Sequence, residues 1–566
     1  MEGIERYLNS QKFYAFQAVG TPEKPCFEGC INVGGWRLQL ELRFHEGKYD
    51  FPKAYLSEWM FSPELRQVFG FRHINTNGHV CYVDESRVWW DSSMAVELVA
   101  GLLEDIKTLL HENLLAASED DVIARDFLGY WDGEESLYVG TSPQNFMEFR
   151  LFSQRHSRNQ WLFEKDQTPW IDFEENDINV KWFAFRLPSP PSNLSETDWP
   201  PTTIGQALTW IENNTAGAVH NFLNKIGMKL FSKGKKKDAK FGTEIGIILT
   251  WPRENGVTEI GAGLSFKISS TITNALIQHR FNNATFMLRN SKAEIKRFSL
   301  NQADPKYIQE RNIINSTPTL KDKTIILVGA GTIGGYLSKL LCAHGAGWGR
   351  SGKLLVIDPD ILSIENIGRH LLGADSLGLY KAEALSYRLK MDFPHLQINS
   401  YAQSITESWK LFSNDCIVVD ATGSQTVSIA IPDYLKRQNL TPVLLHSWVH
   451  GHGAATVAFL NNRKERSSAC FRCLWQIKQN KYSPRFPISK GFIEDTPNFV
   501  GCHQSYHAYA STVSMIAATQ AMELLHDYLS NTVDNTLRFN IIRHDQCEKR
   551  PNTTPDKSIS CPICNR

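Results

Sequence analysis

Gly329, Gly331 and Gly334 fall within six residues, behind the apolar run 325–328 and ahead of a helical pattern in Tyr336, Leu337, Leu340 and Leu341. Glycines so spaced let the backbone approach a phosphate at a helix N-terminus. A second apolar run, 354–357, ends at Asp358, where an acid can take ribose hydroxyls. A Gly-rich turn can be merely structural, but strand, glycines, helix, strand and acid in this order read as a βαβ nucleotide site. Asp360, Asn366, Arg369 and Lys381 follow, and a strand pattern at 417–419 runs into Asp420 and then Ala-Thr-Gly423. A dinucleotide has no evident need for Asn366, Arg369 and Lys381 beside it. A triphosphate does: two cations neutralise the charge that develops as pyrophosphate leaves, and an Asp at the C-terminal edge of a parallel sheet can hold Mg²⁺. The residues therefore predict ATP with Mg²⁺ rather than NAD.

The cysteines divide by spacing. Cys470-Phe-Arg-Cys473 and Cys561-Pro-Ile-Cys564 offer four thiolates, the ligand set of a closed structural Zn²⁺ site; a redox pair is the alternative, and the occurrence of two pairs favours zinc. Cys502 stands ahead of a helical pattern through Met515, Ala518, Met522 and Leu525, where the macrodipole favours thiolate over thiol. That makes it a candidate nucleophile, with His503 and His507 as unassigned helpers; a buried cysteine near a helix cap is the other reading. Cys81, taken alone, reads as a buried strand cysteine.

The elements around Cys81 change that. Alternation over residues 30–44 predicts two antiparallel strands, followed by Tyr49-Asp-Phe-Pro52, the segment 73–81, Trp89-Trp90, and a helix with Val96, Val99, Leu102, Leu103, Ile106 and Leu109 on one face. This order resembles the core of ubiquitin-conjugating enzymes, and Asn77, Gly78, Cys81 and Trp89 fall on that family's spacings. The resemblance implies that Cys81 carries an acyl group as a thioester, beside a side-chain donor for the oxyanion formed when an amine attacks. Where the family has His-Pro-Asn, this chain has Phe71-Arg72-His73. His73 and Asn75 both stand as candidates for the donor.

From Lys321 onward the chain resembles the ubiquitin-activating and ThiF/MoeB adenylyltransferases, on the glycine loop, Asp358 with Asp360, Asn366 with Arg369, Lys381 and Asp420. The resemblance implies ATP-dependent adenylation of the C-terminal carboxylate of a protein tail, capture of the adenylate by Cys502, a split zinc site and a homodimer. It also implies an Arg reaching the partner's ATP site, and Arg311 stands at the matching place. Both halves together resemble the fusion enzymes of bacterial CBASS anti-phage systems, whose acyl donor is the C-terminus of a cGAS-like nucleotidyltransferase.

The expectation is an α/β multidomain chain: an α+β ubiquitin-conjugating-like domain (1–124), an α+β linker domain (125–305) and a Rossmann-like doubly wound adenylation domain with a zinc site (306–566). The expected reaction runs from adenylate to Cys502, to Cys81, to an amine on a target protein. Two alternatives stand beside it: a sulfur-carrier adenylyltransferase with a non-catalytic N-terminal docking domain, and a scaffold that senses ATP without turnover. In the middle region, residues 145–153, 179–186, 244–251 and 259–267 read as strands, 203–226 as one amphipathic helix, and the basic run 229–240 as a solvated loop. Lys plus Arg equals Asp plus Glu at 60 each, so global charge argues for neither nucleic acid nor an anionic membrane. No apolar run approaches the roughly 20 residues of a membrane span and no leader pattern opens the sequence, which predicts a cytoplasmic protein.

Overall fold

The computed structural model describes every residue except 1, 17–24, 45–50, 84–87, 116–126, 156, 158, 168, 171–172, 177–179, 193, 195–198, 231–243, 253–257, 314–316, 466, 479–480, 491–497, 502–503, 507 and 566. The chain forms two compact units, Met1–Pro305 and Lys306–Arg566.

The first unit begins with an antiparallel meander of β1 (Tyr14–Phe16), β2 (Cys26–Val33), β3 (Trp36–Arg43), β4 (Lys53–Leu56) and β5 (His79–Val80). Alternation sends Leu38, Leu40 and Leu42 of β3 inward. They share a core with the buried face of helix α1 (Ala95–Leu115): Val99, Leu102, Leu103, Ile106 and Leu110. The β2–β3 hairpin turns on Gly34 and Gly35, both at positive φ (53° and 89°), which glycine adopts without strain.

A second sheet follows, in the order β10-β11-β12-β13-β6-β8-β7-β9. Its strands are β6 (Glu135–Val139), β7 (Glu148–Gln154), β8 (Gln160–Glu164), β9 (Phe173–Glu175), β10 (Val180–Arg186), β11 (Glu244–Pro252), β12 (Thr258–Lys267) and β13 (Lys296–Gln302). Strand β10 also pairs with β7, so the sheet closes on itself. Leu137, Phe149, Leu162, Trp182, Ile248 and Phe298 form one buried cluster within it.

Residues 203–226 form two helices rather than one: α2 (Ile204–Asn214), started by a Thr203/Gln206 capping box, and α3 (Ala218–Leu230). The break falls at Gly217, whose φ of 75° a continuous helix does not allow. Most of the basic run 229–240 lies outside the described residues. A single apolar core extends from Ile4 to Ile295 and joins the meander to these helices. Within it Phe127 stacks on Trp210 at 5.6 Å, and the Trp199 indole N–H donates to the Tyr130 carbonyl at 2.9 Å.

The second unit is a seven-stranded sheet ordered β16-β15-β14-β17-β18-β19-β20. These are β14 (Thr324–Val328), β15 (Lys353–Ile357), β16 (Ile398–Tyr401), β17 (Cys416–Asp420), β18 (Val443–His450), β19 (Ala455–Asn462) and β20 (Leu537–Ile541). The first five are parallel; β19 runs antiparallel to β18, and β20 antiparallel to β19. Burial on both faces accounts for the unbroken apolar runs of β14, β15 and β17. Helix α4 (Thr332–Ala343) shares a core with α5 (Ser511–Ser530) through Leu337, Leu341, Ala517, Ala521 and Leu524. The strand order reverses direction from β14 to β15 on one side and to β17 on the other, and that crevice is where a doubly wound sheet binds ligands. Among the described residues no helix is long and apolar enough to cross a membrane.

Candidate active site

The glycines serve two purposes. Gly329, at φ 95°, and Gly334 are needed by the protein itself: a Cβ on Gly334 would stand 1.9 Å from the Gly329 carbonyl oxygen. A Cβ on Gly331 would meet nothing within 4 Å, so bare backbone there faces open space at the start of α4. Asp358, at the end of β15, holds the loop in place. Its Oδ2 accepts from the Ala330 N–H at 2.7 Å and its Oδ1 from the Asp360 N–H at 2.8 Å. Burial pushes the Asp358 carboxyl above its ordinary pKa, with those two N–H bonds pulling against it.

His370 braces the loop from the other side. Its Nδ1 accepts from the Leu372 N–H at 3.0 Å, which leaves the proton on Nε2 to donate to the Ala330 carbonyl at 2.8 Å. Burial holds this imidazole below its ordinary pKa, in keeping with a neutral ring that both accepts and donates.

Gly329, Gly331, Asp358, Asp360, Asn366, Arg369 and Lys381 all line one cavity of about 890 Å³. Lys381 donates to Asp360 at 2.9 Å, and Asn366 caps its own turn by accepting from the Ser363 N–H at 3.1 Å. The Arg369 guanidinium lies 4.9 Å from the Tyr509 ring centre, and the Tyr509 hydroxyl is 3.0 Å from that of Thr332. The cavity thus has an open glycine backbone, two cations and two carboxylates.

Asp420 stands outside that group. Its carboxylate, 2% exposed, takes His446 Nδ1 at 2.9 Å and the Ser428 hydroxyl on Oδ2, and the Thr422 hydroxyl (2.7 Å) and N–H (3.1 Å) on Oδ1. Burial raises its pKa, but the bonds from His446, Ser428 and Thr422 outweigh that and leave the group below the usual carboxylate range. With both oxygens committed, Asp420 shapes the Thr422–Gly423 turn from beneath, while Asp358 and Asp360 are the acids that face the cavity.

The two CxxC pairs converge. Cys470 Sγ lies 3.8 Å from Cys473 Sγ and 3.6 Å from Cys561 Sγ, and Cys473 Sγ lies 3.5 Å from Cys564 Sγ. All four sulfurs fall within 4.8 Å of one another. Tetrahedral Zn²⁺ with bonds of about 2.3 Å sets its sulfurs about 3.8 Å apart, so this set fits the ion.

In the first unit Cys81 is exposed, just past β5. Its N–H donates to the His73 carbonyl at 2.8 Å, closing the loop 73–81, in which the Asn77 side chain accepts from the His79 N–H at 3.1 Å. A Cβ on Gly78 (φ 82°) would meet the Leu56 carbonyl oxygen at 2.6 Å. The His73 N–H donates to the Tyr130 hydroxyl at 3.0 Å, and the Asn75 N–H to the His79 carbonyl at 2.8 Å. Trp89 is 86% exposed. Arg311 lies over the Tyr307 ring at 5.2 Å. Cys502, His503 and His507 lie outside the described residues.

Sequence reasoning missed Tyr509, Thr332, His370 and His446, which no local motif marks. It also passed over His79, although the His-x-Cys spacing on a strand signals two side chains on one face.

Residues 308–563 match the ThiF family and residues 20–139 match the Prokaryotic E2 family B. The chain is therefore an adenylyltransferase- and ligase-like enzyme in which a ThiF module is joined to an E2 module. It is 26% identical to the ATP-dependent ubiquitin transferase-like protein Cap2 of Pseudomonas aeruginosa (strain BWHPSA011 / Pa011), over 93% of this chain and 91% of that protein. It is 26% identical to the protein of the same name from Escherichia coli (strain TW11681), over 91% of this chain and 89% of that one. A crystal structure of E. coli MccB with ATP is similar at 17% identity and a TM-score of 0.33, covering 52% of this chain and 74% of that chain.

Proposed function

We propose that this protein activates the C-terminal carboxylate of a protein tail with ATP and passes the acyl group through two cysteines to an amine on a target. The observation that carries the reading is the single cavity shared by the open Gly331 backbone, Asp358, Asp360, Arg369 and Lys381. In this reading Asp358 sits at the ribose end and the glycine loop at the phosphates, with Arg369 and Lys381 neutralising the departing pyrophosphate. The tail carboxylate attacks the α-phosphorus, pyrophosphate leaves, and an acyl-adenylate remains. Mg²⁺ accompanies the triphosphate, with Asp360 the exposed carboxylate on hand. Cys502 displaces AMP to form a thioester, Cys81 takes the acyl group by thiol exchange, and an amine releases it as an amide. The Cys470–Cys473–Cys561–Cys564 set holds a structural Zn²⁺. The similarity to the Cap2 proteins supports the ubiquitin-transferase-like reading; the donor is a cGAS-like nucleotidyltransferase, and the enzyme works as a cytoplasmic homodimer in anti-phage defence.

Incubation of the full chain with ATP, Mg²⁺ and a purified cGAS-like nucleotidyltransferase, resolved on non-reducing gels, tests this. Cys502→Ala should lose every thioester, and Cys81→Ala should keep one thioester and lose the conjugate. Conjugates that persist in both variants would sink the proposal; product formation that survives only Cys81→Ala would favour a sulfur-carrier adenylyltransferase with a docking domain.

A further inference from the structure

His79 on β5 and Cys81 just past its end are two residues apart and turn their side chains to the same side, while Val80 between them is buried. The Cys81 Sγ lies 3.8 Å from His79 Nδ1. The imidazole is half-buried, packed against the Tyr55 ring at 5.1 Å. Among the described residues, the titratable and charged groups facing it are Tyr55 and Lys53 from β4 and Cys81 just past its own strand; one strand further, Arg43 lies over Tyr55 and is paired with Glu41. Burial, then the Lys53 charge, holds His79 below its ordinary pKa and hence neutral near pH 7. A neutral imidazole with its proton on Nε2 presents a lone pair at Nδ1 to the sulfur.

We infer that His79 is the general base of acyl transfer at Cys81. This inference rests on the reading of Cys81 as the acyl carrier. When an amine adds to the thioester carbonyl, the N–H proton of the adduct passes to His79 Nδ1. The C–S bond then breaks, the amide leaves, and the same proton returns to the Cys81 thiolate. No electrons are exchanged with any other species, and the chain ends as it began. A base in that position also removes the need for the second histidine-borne or asparagine-borne contact to do more than hold the oxyanion.

The test loads the full chain with a glycine-ended peptide α-thioester and follows each cysteine by peptide-resolved mass spectrometry, with exposed Cys30 as the internal control. The loaded protein is then chased with aminoacetonitrile, a weakly basic amine, across about pH 5 to 8, the range in which an imidazole titrates, with each rate divided by the fraction of the amine that is unprotonated at that pH. In parallel it is chased with hydroxylamine, which needs no base. His79→Ala and His79→Gln are each expected to slow aminolysis about 100-fold or more, as loss of a general base does. The fall in rate at acid pH seen in the wild type should vanish in both, and hydroxylamine cleavage should not change. An unchanged aminolysis rate and pH profile would overturn the role of His79 and leave Cys81 as carrier. Parallel loss of both reactions would also overturn it, because the effect would then be structural. Failure of the wild type to acylate Cys81 in preference to Cys30 would overturn the carrier reading and this inference with it.

Discussion

Gly331, the N-cap of α4, and Gly334, in its first turn, have opposite reasons for lacking a side chain, and alanine should separate those reasons. At Gly331 a methyl group enters empty space, and the residue's φ of −76° suits any L-amino acid. Its effect on folding should stay within about 1 kcal/mol, the loss of a favourable N-cap set against a less flexible unfolded chain. That same empty space is where a phosphate must come to meet the loop N–H groups. Losing one charge-assisted hydrogen bond there costs about 1.5–3 kcal/mol, which is roughly 10- to 150-fold in affinity for ATP. At Gly334 the methyl would sit 1.9 Å from the Gly329 carbonyl oxygen and 3.6 Å from the Ala421 Cβ, so backbone must move. Overpacking of that kind costs about 1–3 kcal/mol, or a fall in Tm of roughly 2–10 °C for a unit of this size. Calorimetric titration with ATP and Mg²⁺, beside thermal unfolding without nucleotide, reads both quantities. Gly331→Ala should keep the wild-type Tm and lose ATP; Gly334→Ala should lose both. A Gly331→Ala protein that binds ATP as the wild type does would refute the placement of the phosphates at this loop.

Asp420→Asn should cost on the order of 2–4 kcal/mol in chemical denaturation, because the amide nitrogen cannot accept and so strands either the His446 and Ser428 donors on Oδ2 or the Thr422 hydroxyl and N–H on Oδ1. The Mg²⁺ concentration needed for half-maximal ATP binding should not move; a marked rise would show that this carboxylate holds the cation after all. Purified protein should contain one zinc per chain by mass spectrometry of the metal, and Cys561→Ala should lose it together with protection from proteolysis over residues 547–565. Stability of the second unit should fall as pH drops from about 6.5 to about 4, since the partly buried imidazole of His395, held down to about 4 by desolvation, is protonated in the unfolded chain first. Sign and window follow from the depressed value: the stabilisation is complete above the unfolded pKa and lost below it. The drop is on the order of 2 kcal/mol after allowing for partial exposure of the ring. His395→Asn should flatten that limb, and pH-resolved urea unfolding measures it.

What the sequence made legible is what neighbouring residues determine. The strand, glycine loop, helix and terminal acid are contiguous, and each CxxC pair presents its spacing within four residues. The break at Gly217 was hidden because the apolar period continues on both sides of it. The closing of the second sheet rests on Trp182↔Phe149 and Phe183↔Glu148, pairings between strands that no local pattern connects. The surroundings of Asp420 were hidden for the same reason. Its position at a strand end suits a metal ligand, but its orientation is decided by His446, which follows 26 residues later on the next strand. His79 is the opposite case: alternation placed it beside Cys81, and only a preference for the donor candidates His73 and Asn75 passed it over.

The four-cysteine cluster and the glycine-loop cavity are one construction. Phe471 lies between the ligands Cys470 and Cys473, and both Phe471 and Trp475 line the cavity. Phe471 packs on His446 at 4.9 Å between ring centres, His446 holds Asp420, and Asp420 holds the hydroxyl and N–H of Thr422 on the cavity wall. Each contact fixes the next by hydrogen bonding or close packing, and Phe471, His446 and Asp420 are all buried. A ligand set that pins the Phe471 loop therefore fixes the turn facing the glycine loop, about one strand spacing away. On this argument a Zn²⁺ held by the four cysteines would act on the proposed nucleotide site sterically, by keeping the Phe471 wall upright and the Thr422–Gly423 turn in register.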